Sequence, residues 1–268
     1  MDTIEKQLYA SKNNKTYIFI VTAIVLLLFS WSLTTINLDN MQDSGWQIAG
    51  SILKGILTPD LGLLFNFTSQ GVLYLLIETI AIAFLGTIIG ALLAVPLAFL
   101  SASNVVPKPV ASVTRLLLIV IRTIPALVYG LMFIRVTGPG PFAGVLTISL
   151  ISIGMLAKLF VDSIEDLDTS ILESMKSIGC TTFEKIRYGI LPQLFALFLS
   201  TVIYRFDMNL REASILGLVG AGGIGAPLIF AMNAYRWNEV GSILIGLLVL
   251  IIIVELSSNH IRTKLVRG

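Results

Sequence analysis

Residues 158–192 read KLFVDSIEDLDTSILESMKSIGCTTFEKIRYGILP, and this stretch decides how the rest of the chain is arranged. It holds ten of the 34 charged residues, yet long apolar blocks flank it on both sides. A segment this long and this charged does not lie in hydrocarbon, where unsatisfied polar groups are costly; it faces water or another protein. Only 13% of the 268 residues are charged, 56% are hydrophobic, and the mean hydropathy is +0.91. A water-soluble domain carries about a quarter charged residues. The composition therefore points to an all-α polytopic membrane protein in a lipid bilayer. A net charge of +2 is too small to suggest a nucleic-acid partner. One cysteine, Cys180, excludes an internal disulfide and a cysteine-based zinc cluster, and one histidine, His260, excludes a histidine-rich metal site. Cys180 reads as a small residue beside Gly179 rather than as a reactive thiol.

Working outward, apolar blocks at 17–36, 72–100, 116–134, 142–159, 193–204 and 240–256 predict about six transmembrane helices, because about 20 apolar residues cross about 30 Å of hydrocarbon. The first block follows a polar tail with Lys6, Lys12 and Lys15. It is longer than the apolar core of a signal peptide and lacks a clean small-x-small cleavage site, so it reads as an uncleaved helix. Within the loop 37–71, Trp46, Ile48, Ile52, Leu53, Ile56 and Leu57 suit a short helix in the membrane interface. Gly86 and Gly90 form a G-x-x-x-G face for close helix packing. Residues 205–238 are compatible with an outer loop, a re-entrant segment or a broken helix. Six spans bring both termini to one side. Twelve of the 18 Lys and Arg residues fall on that side with residues 158–192, five fall on the other, and Arg122 lies within a span. This bias places both termini in the cytoplasm. The organisation is 1–71 (tail, first helix, outer loop), 72–260 (core with the insert 158–192) and 261–268 (basic tail).

Arg122 interrupts the third block three residues before Pro125. An arginine there costs roughly 2.5–3.5 kcal/mol on insertion, so it must face protein or water. It is either an anion-attracting residue along a pathway or a partner for Glu78 or Asp207. Gly220, Gly222, Gly223 and Gly225 fit G-x-G-x-x-G. A dinucleotide site needs a preceding strand and an acid about 20 positions on, and Glu239 is too close. No Lys-Ser/Thr pair follows, which excludes Walker A. The glycines read instead as a flexible or close-packed segment near the outer gate. Glu78, Arg122, Pro125 and these four glycines are the pathway candidates. The chain carries no nucleotide-binding motif, so any ATP hydrolysis must come from another subunit.

Within 163–176 the apolar stripe Ile164, Leu167, Ile171, Leu172 and Met175 predicts a helix. Residues 168–170 offer caps before Ile171, and Gly179 ends it. A second amphipathic stretch, 182–188, leads to Gly189, and Pro192 begins the next span. Two short helices joined at a glycine elbow suit docking into a groove of a soluble partner.

Glu173, Gly179, Leu191 and Pro192 match the spacing of the E-A-A-x3-G-x9-I-x-L-P signature of ABC importer permeases. Ser174 and Met175 occupy its two alanine slots and Gly189 its isoleucine slot, which are departures. The chain resembles that family over about 72–260, and ESMKSIG, RYGILPQ and REASILGLVGAGGIG look most like its phosphonate-type members. The resemblance implies an ABC type I importer permease fold in a bacterial inner membrane. Glu173, Ser174, Met175, Gly179, Cys180, Thr181, Leu191 and Pro192 would couple to a separate ATPase subunit. It implies a second copy of the permease, an extracytoplasmic solute-binding protein, and phosphonate or a related phosphorus oxyanion as solute. It also implies no catalytic residue and no cofactor in this chain, ATP–Mg being bound by the ATPase. Another solute, such as an amino acid, is the alternative within the family. A self-contained secondary transporter or channel would need inverted repeats and paired intramembrane acids, and neither is clear. An intramembrane enzyme would need a convergent acid/base set, which is missing.

Overall fold

The computed structural model describes residues 15–35, 45–68 and 71–267. Lys6, Lys12 and the loop acids Asp39 and Asp43 lie outside the described residues. The chain divides into two units, Met1–Gly50 and Ser51–Gly268, so the expected boundary at residue 71 falls inside the second. The first unit contains helix α1 (Lys15–Thr35), whose described side chains are all exposed although most are apolar. It also contains the first residues of α2 (Gly45–Leu57), the amphipathic helix expected around Trp46.

The second unit continues with α3 (Leu61–Leu64), α4 (Val72–Ser101), α5 (Lys108–Thr123), α6 (Ala126–Thr137) and α7 (Pro141–Glu165). After these come α8 (Thr169–Ser177), α9 (Thr182–Glu184), a π-helical turn (Lys185–Ile190), α10 (Leu191–Gly217), α11 (Gly225–Asn233) and α12 (Trp237–Arg267). Among the described residues there is no strand. The α4–α7 pair forms the centre. A β-carbon on Gly86 or Gly90 would come within 2.6 Å of Ile148 or 2.5 Å of Ser152, so the missing side chains set how closely the two helices approach. Helix α10 packs against both. At one end of this trio a buried cluster forms from Phe99, Leu156, Phe160, Ile164, Ile190, Leu194 and Phe198, with Phe160 stacked on Phe198 at 4.2 Å. At the other end Ile82, Val145, Ile148, Leu210, Leu216 and Ala221 form a second.

Five of the described helices are long and apolar enough to cross a membrane, and six spans result if α5 and α6 count as one. These two meet at 85°. The bend follows from Pro125, which has no N–H to continue the helix and holds Ile124 in an extended conformation. The carbonyl of Ile121 thereby loses its helical donor, and the Tyr129 hydroxyl donates to it instead at 3.2 Å.

Three expected boundaries are corrected. The helix expected over 163–176 is two helices: α7 stops at Glu165, and Asp168 caps α8 by accepting the Ser170 N–H at 2.9 Å. The fifth span does not end near Tyr204. Helix α10 runs on to Gly217, so Arg205, Asp207, Arg211 and Glu212 sit within a helix and not in an outer loop. The expected tail 261–268 is helical as far as Arg267, in one piece with the last span. Its 31 residues reach about 46 Å at about 1.5 Å per residue, longer than the hydrocarbon alone requires.

Candidate functional site

The polar insert folds into an elbow at the end of the bundle nearest the first cluster. Asp168 starts α8, and the Ser170 N–H it accepts holds its carboxyl below the ordinary aspartate value. Gly179 ends it at φ +85°: the Cys180 N–H donates to Met175 O at 3.0 Å and the Gly179 N–H to Lys176 O at 3.1 Å. These two bonds are the Schellman termination, which favours glycine in the left-handed region. Thr181 and Glu184 then form a reciprocal capping box: the Glu184 N–H donates to Thr181 Oγ1 at 3.3 Å and the Thr181 N–H to Glu184 Oε2 at 2.7 Å. The chain does not break before Pro192. From Thr182 it is helical without interruption through the π turn into α10. The widened turn sits immediately ahead of Pro192, which cannot donate a backbone hydrogen bond. The second arm of the elbow is therefore the first turns of α10, not a separate helix.

The two departures from the permease signature touch one another. A β-carbon on Gly189 would lie 2.5 Å from the sulfur of Met175. A long side chain in an alanine slot fits because the isoleucine slot has lost its own, and this exchange seats α8 on the π turn. Leu172, Ile186 and Leu191 pack behind it on the first cluster. Glu173, Ser174 and Gly179 remain exposed, Cys180 is half-buried, and Pro192 is exposed. Ile178, Phe183 and Tyr188, beside them, are 78%, 67% and 67% exposed, a large apolar area for one short segment. Glu173 and Lys176 line a cleft of about 280 Å³ with Thr182, Lys185 and Asn104. Its wall is anchored: Glu165 accepts the Ser103 N–H at 2.8 Å and pairs with Arg115, while Asn104 donates to Ile164 O at 2.8 Å.

The pathway candidates fall into two places. Arg122 and Pro125 line a cleft of about 310 Å³ with Arg205 and Glu212. Neither carboxylate weighed as a partner for Arg122 pairs with it. Glu78 accepts the Gly223 N–H at 2.9 Å, and Asp207 pairs with Arg211 at 3.2 Å. Glu78 thus lies with the glycines, in a tight crossover after α10. Gly220, Gly222 and Gly223 have φ of +95°, +85° and +73°. A β-carbon would meet Pro141 at 2.7 Å from Gly222, Thr79 Oγ1 at 2.6 Å from Gly223, and Ser214 O at 2.3 Å from Gly225. The segment is close-packed, and it follows a helix, not the strand that dinucleotide binding requires.

Sequence reasoning missed Asn209. It is fully buried in α10 and donates to Thr87 Oγ1 on α4 and Ser152 Oγ on α7, both at 2.7 Å. An asparagine in a charged run carried no mark of its own; its spacing from Arg205 and Glu212 becomes meaningful only once α10 is known to continue.

The family model of binding-protein-dependent transport system inner membrane components matches residues 94–267. The chain belongs to that family. The match takes in the elbow, the Arg122 cleft and the crossover. The phosphite transport system permease protein PtxC of Stutzerimonas stutzeri is 35% identical over 188 residues, 70% of this chain and 68% of that protein. The phosphate-import permease protein PhnE of Mycolicibacterium smegmatis is 39% identical over 189 residues, 70% of this chain and 36% of that protein, so the chain spans little more than a third of its length. The inward-facing MetNI methionine ABC transporter has a chain of the same fold, with TM-score 0.61 at 17% identity over 71% of this chain and 94% of that one. As a member of this permease family, the protein is a multi-pass transport component and not a catalytic subunit.

Proposed function

We propose that this protein is the membrane subunit of an ABC importer for a phosphorus oxyanion, such as phosphite, phosphate or a phosphonate. It would take its energy from a separate ATPase that grips the elbow at Gly179. The observation that carries the coupling role is the elbow itself: a capped, rigidly backed helix end carrying three large apolar side chains in the open. Full burial of an Ile or Phe side chain contributes about 1.5–3 kcal/mol, part of what association with a partner at this point requires. The solute class is supported by the relatives, two of which are named for phosphite and phosphate transport.

The connectivity explains how such a grip acts at a distance. Met175 seats α8 on the π turn through the space left by Gly189, and the π turn runs directly into α10. A pull on α8 is delivered along α10, which carries Arg205, Asn209 and Glu212. In this reading the elbow and both termini face the cytoplasm, the crossover faces the extracytoplasmic binding protein, and a second copy completes the pathway. ATP–Mg is bound by the ATPase alone. The test is uptake in proteoliposomes holding the permease with its ATPase and binding protein. Phosphite, phosphate or methylphosphonate should be imported at the expense of ATP, with amino acids neither imported nor competing. Import of an amino acid in their place would overturn the solute class, and import without the ATPase would overturn the coupling.

A further inference from the structure

We propose that the cleft between the α5–α6 break and α10 is an oxyanion waypoint. Arg122 and Arg205 would hold the anion, and Glu212 is the internal carboxylate that keeps Arg205 paired while the cleft is empty. This deepens the import of a phosphorus oxyanion proposed above and rests on it.

Four observations converge on the cleft. First, its charge is unbalanced: Arg122 and Arg205 share this cleft with one carboxylate, Glu212, although Arg122 also borders a neighbouring cleft that holds Asp162 and Glu165. Second, Arg205 is only 4% exposed and its Nε has no partner among the described residues. Glu212 lies 3.1 Å from Nη2, leaving a buried five-donor fork under-used. Third, α6 begins at this cleft with no side chain capping it, so the positive end of a 12-residue helix dipole points the same way. Fourth, the irregular backbone at Ile124 and Pro125 interrupts an apolar block, which is tolerated only against protein or a water-filled cavity. The neighbouring charges do not share the task. Asp207, Arg211 and Glu255 are engaged with one another at 3.2 and 3.0 Å, although Asp207 Oδ1 has no partner among the described residues.

Position and size also fit. The stem of Arg122 lies on Gly154, where a β-carbon would come within 2.7 Å of Arg122 Cγ, so the stem is held against α7 while the residue as a whole stays exposed. A volume of about 310 Å³ corresponds to about ten waters at about 30 Å³ each, room for a small hydrated anion. Two planar guanidinium groups match a tetrahedral oxyanion, which accepts two parallel hydrogen bonds from each. Glu212 makes the passage reversible. An arriving anion replaces its carboxylate on Arg205, so the buried charge is never left alone, and the returning carboxylate then repels the anion onward.

The test uses the complete complex in proteoliposomes. Arg122→Gln should lower uptake of the oxyanion that the parent carries by about tenfold or more, the loss of one charge-assisted site, while ATP hydrolysis stimulated by the loaded binding protein persists. Arg122→Lys should keep part of the uptake. A separate readout is maleimide labelling of Met155→Cys in a Cys180→Ser background, Met155 being on the cleft wall. Phosphite should slow labelling where chloride at equal ionic strength does not, and Glu212→Gln should lower the phosphite concentration required. Parent-level uptake by Arg122→Gln, or labelling indifferent to phosphite while the parent imports it, would overturn the waypoint alone. A parent complex that moves none of the three oxyanions would overturn the import reading and the waypoint with it.

Discussion

Gly179 in the elbow and Gly222 in the crossover have the same backbone angle, φ +85°, in opposite surroundings. A β-carbon on Gly222 would meet the backbone of Pro141 at 2.7 Å and Glu78 at 3.1 Å; on Gly179 it would meet nothing within 4 Å. At one end of the bundle the left-handed turn serves internal packing: Ala221 O approaches Gly144, the Gly140 N–H donates to Gly220 O at 2.9 Å, and Glu78 holds Gly223. At the other end the same turn serves only to present a surface. Ile178, Phe183 and Tyr188 are uncovered around that open turn, but Val136, Phe142 and Phe230 near the crossover are as exposed, so the two ends differ in the space around the turn and not in apolar exposure alone.

The contrast predicts that stability and ATPase association respond to different positions. For stability, Gly222→Ala should be the most damaging change. The β-carbon has rigid backbone to strike and the left-handed conformation adds its own strain, so a loss of about 3 kcal/mol or more is expected as a collapsed melting temperature in detergent. Gly189→Ile comes next. It collides with Met175, costs about 1–3 kcal/mol, and should be largely rescued by Met175→Ala in the same chain, a coupling that a double-mutant cycle measures. Asn209→Ala strips the shared donor from Thr87 and Ser152 and should cost about 1–3 kcal/mol by the same melt. Gly179→Asp should be mildest, about 1–2 kcal/mol from the left-handed turn alone, with normal membrane insertion. For ATPase association measured by co-purification, Gly179→Asp, the mildest for stability, should abolish it, while Asn209→Ala should leave it intact.

How much of this was readable beforehand follows the range of the interactions. The elbow was legible because its signals are local: Asp168 as a cap, Gly179 as a terminator, and the permease spacing from Glu173 to Pro192. The G-x-x-x-G face of α4 was legible for the same reason. Residues 205–217 were not, because charge alone argued against a membrane helix. The ion pairs that permit one there, Arg205 with Glu212 and Arg211 with Glu255, join positions seven and 44 apart. The Met175–Gly189 exchange was equally hidden, since each departure read alone weakens the signature and only their contact shows that they compensate. The glycine run announced close packing or flexibility without choosing between them; Pro141, Thr79 and Ser214, distant in sequence or a turn away, make the choice.

If an ATPase covers the elbow, the chain carries its own probe of that contact in Cys180, its single cysteine and half-buried beside Gly179. Membrane vesicles holding the permease should be treated with a membrane-impermeant maleimide from each face, with and without the ATPase. Cys180 should be labelled from the cytoplasmic face only, and the labelling should disappear when the ATPase is bound. Labelling from the outer face, or labelling that proceeds unchanged with the ATPase in place, would contradict it.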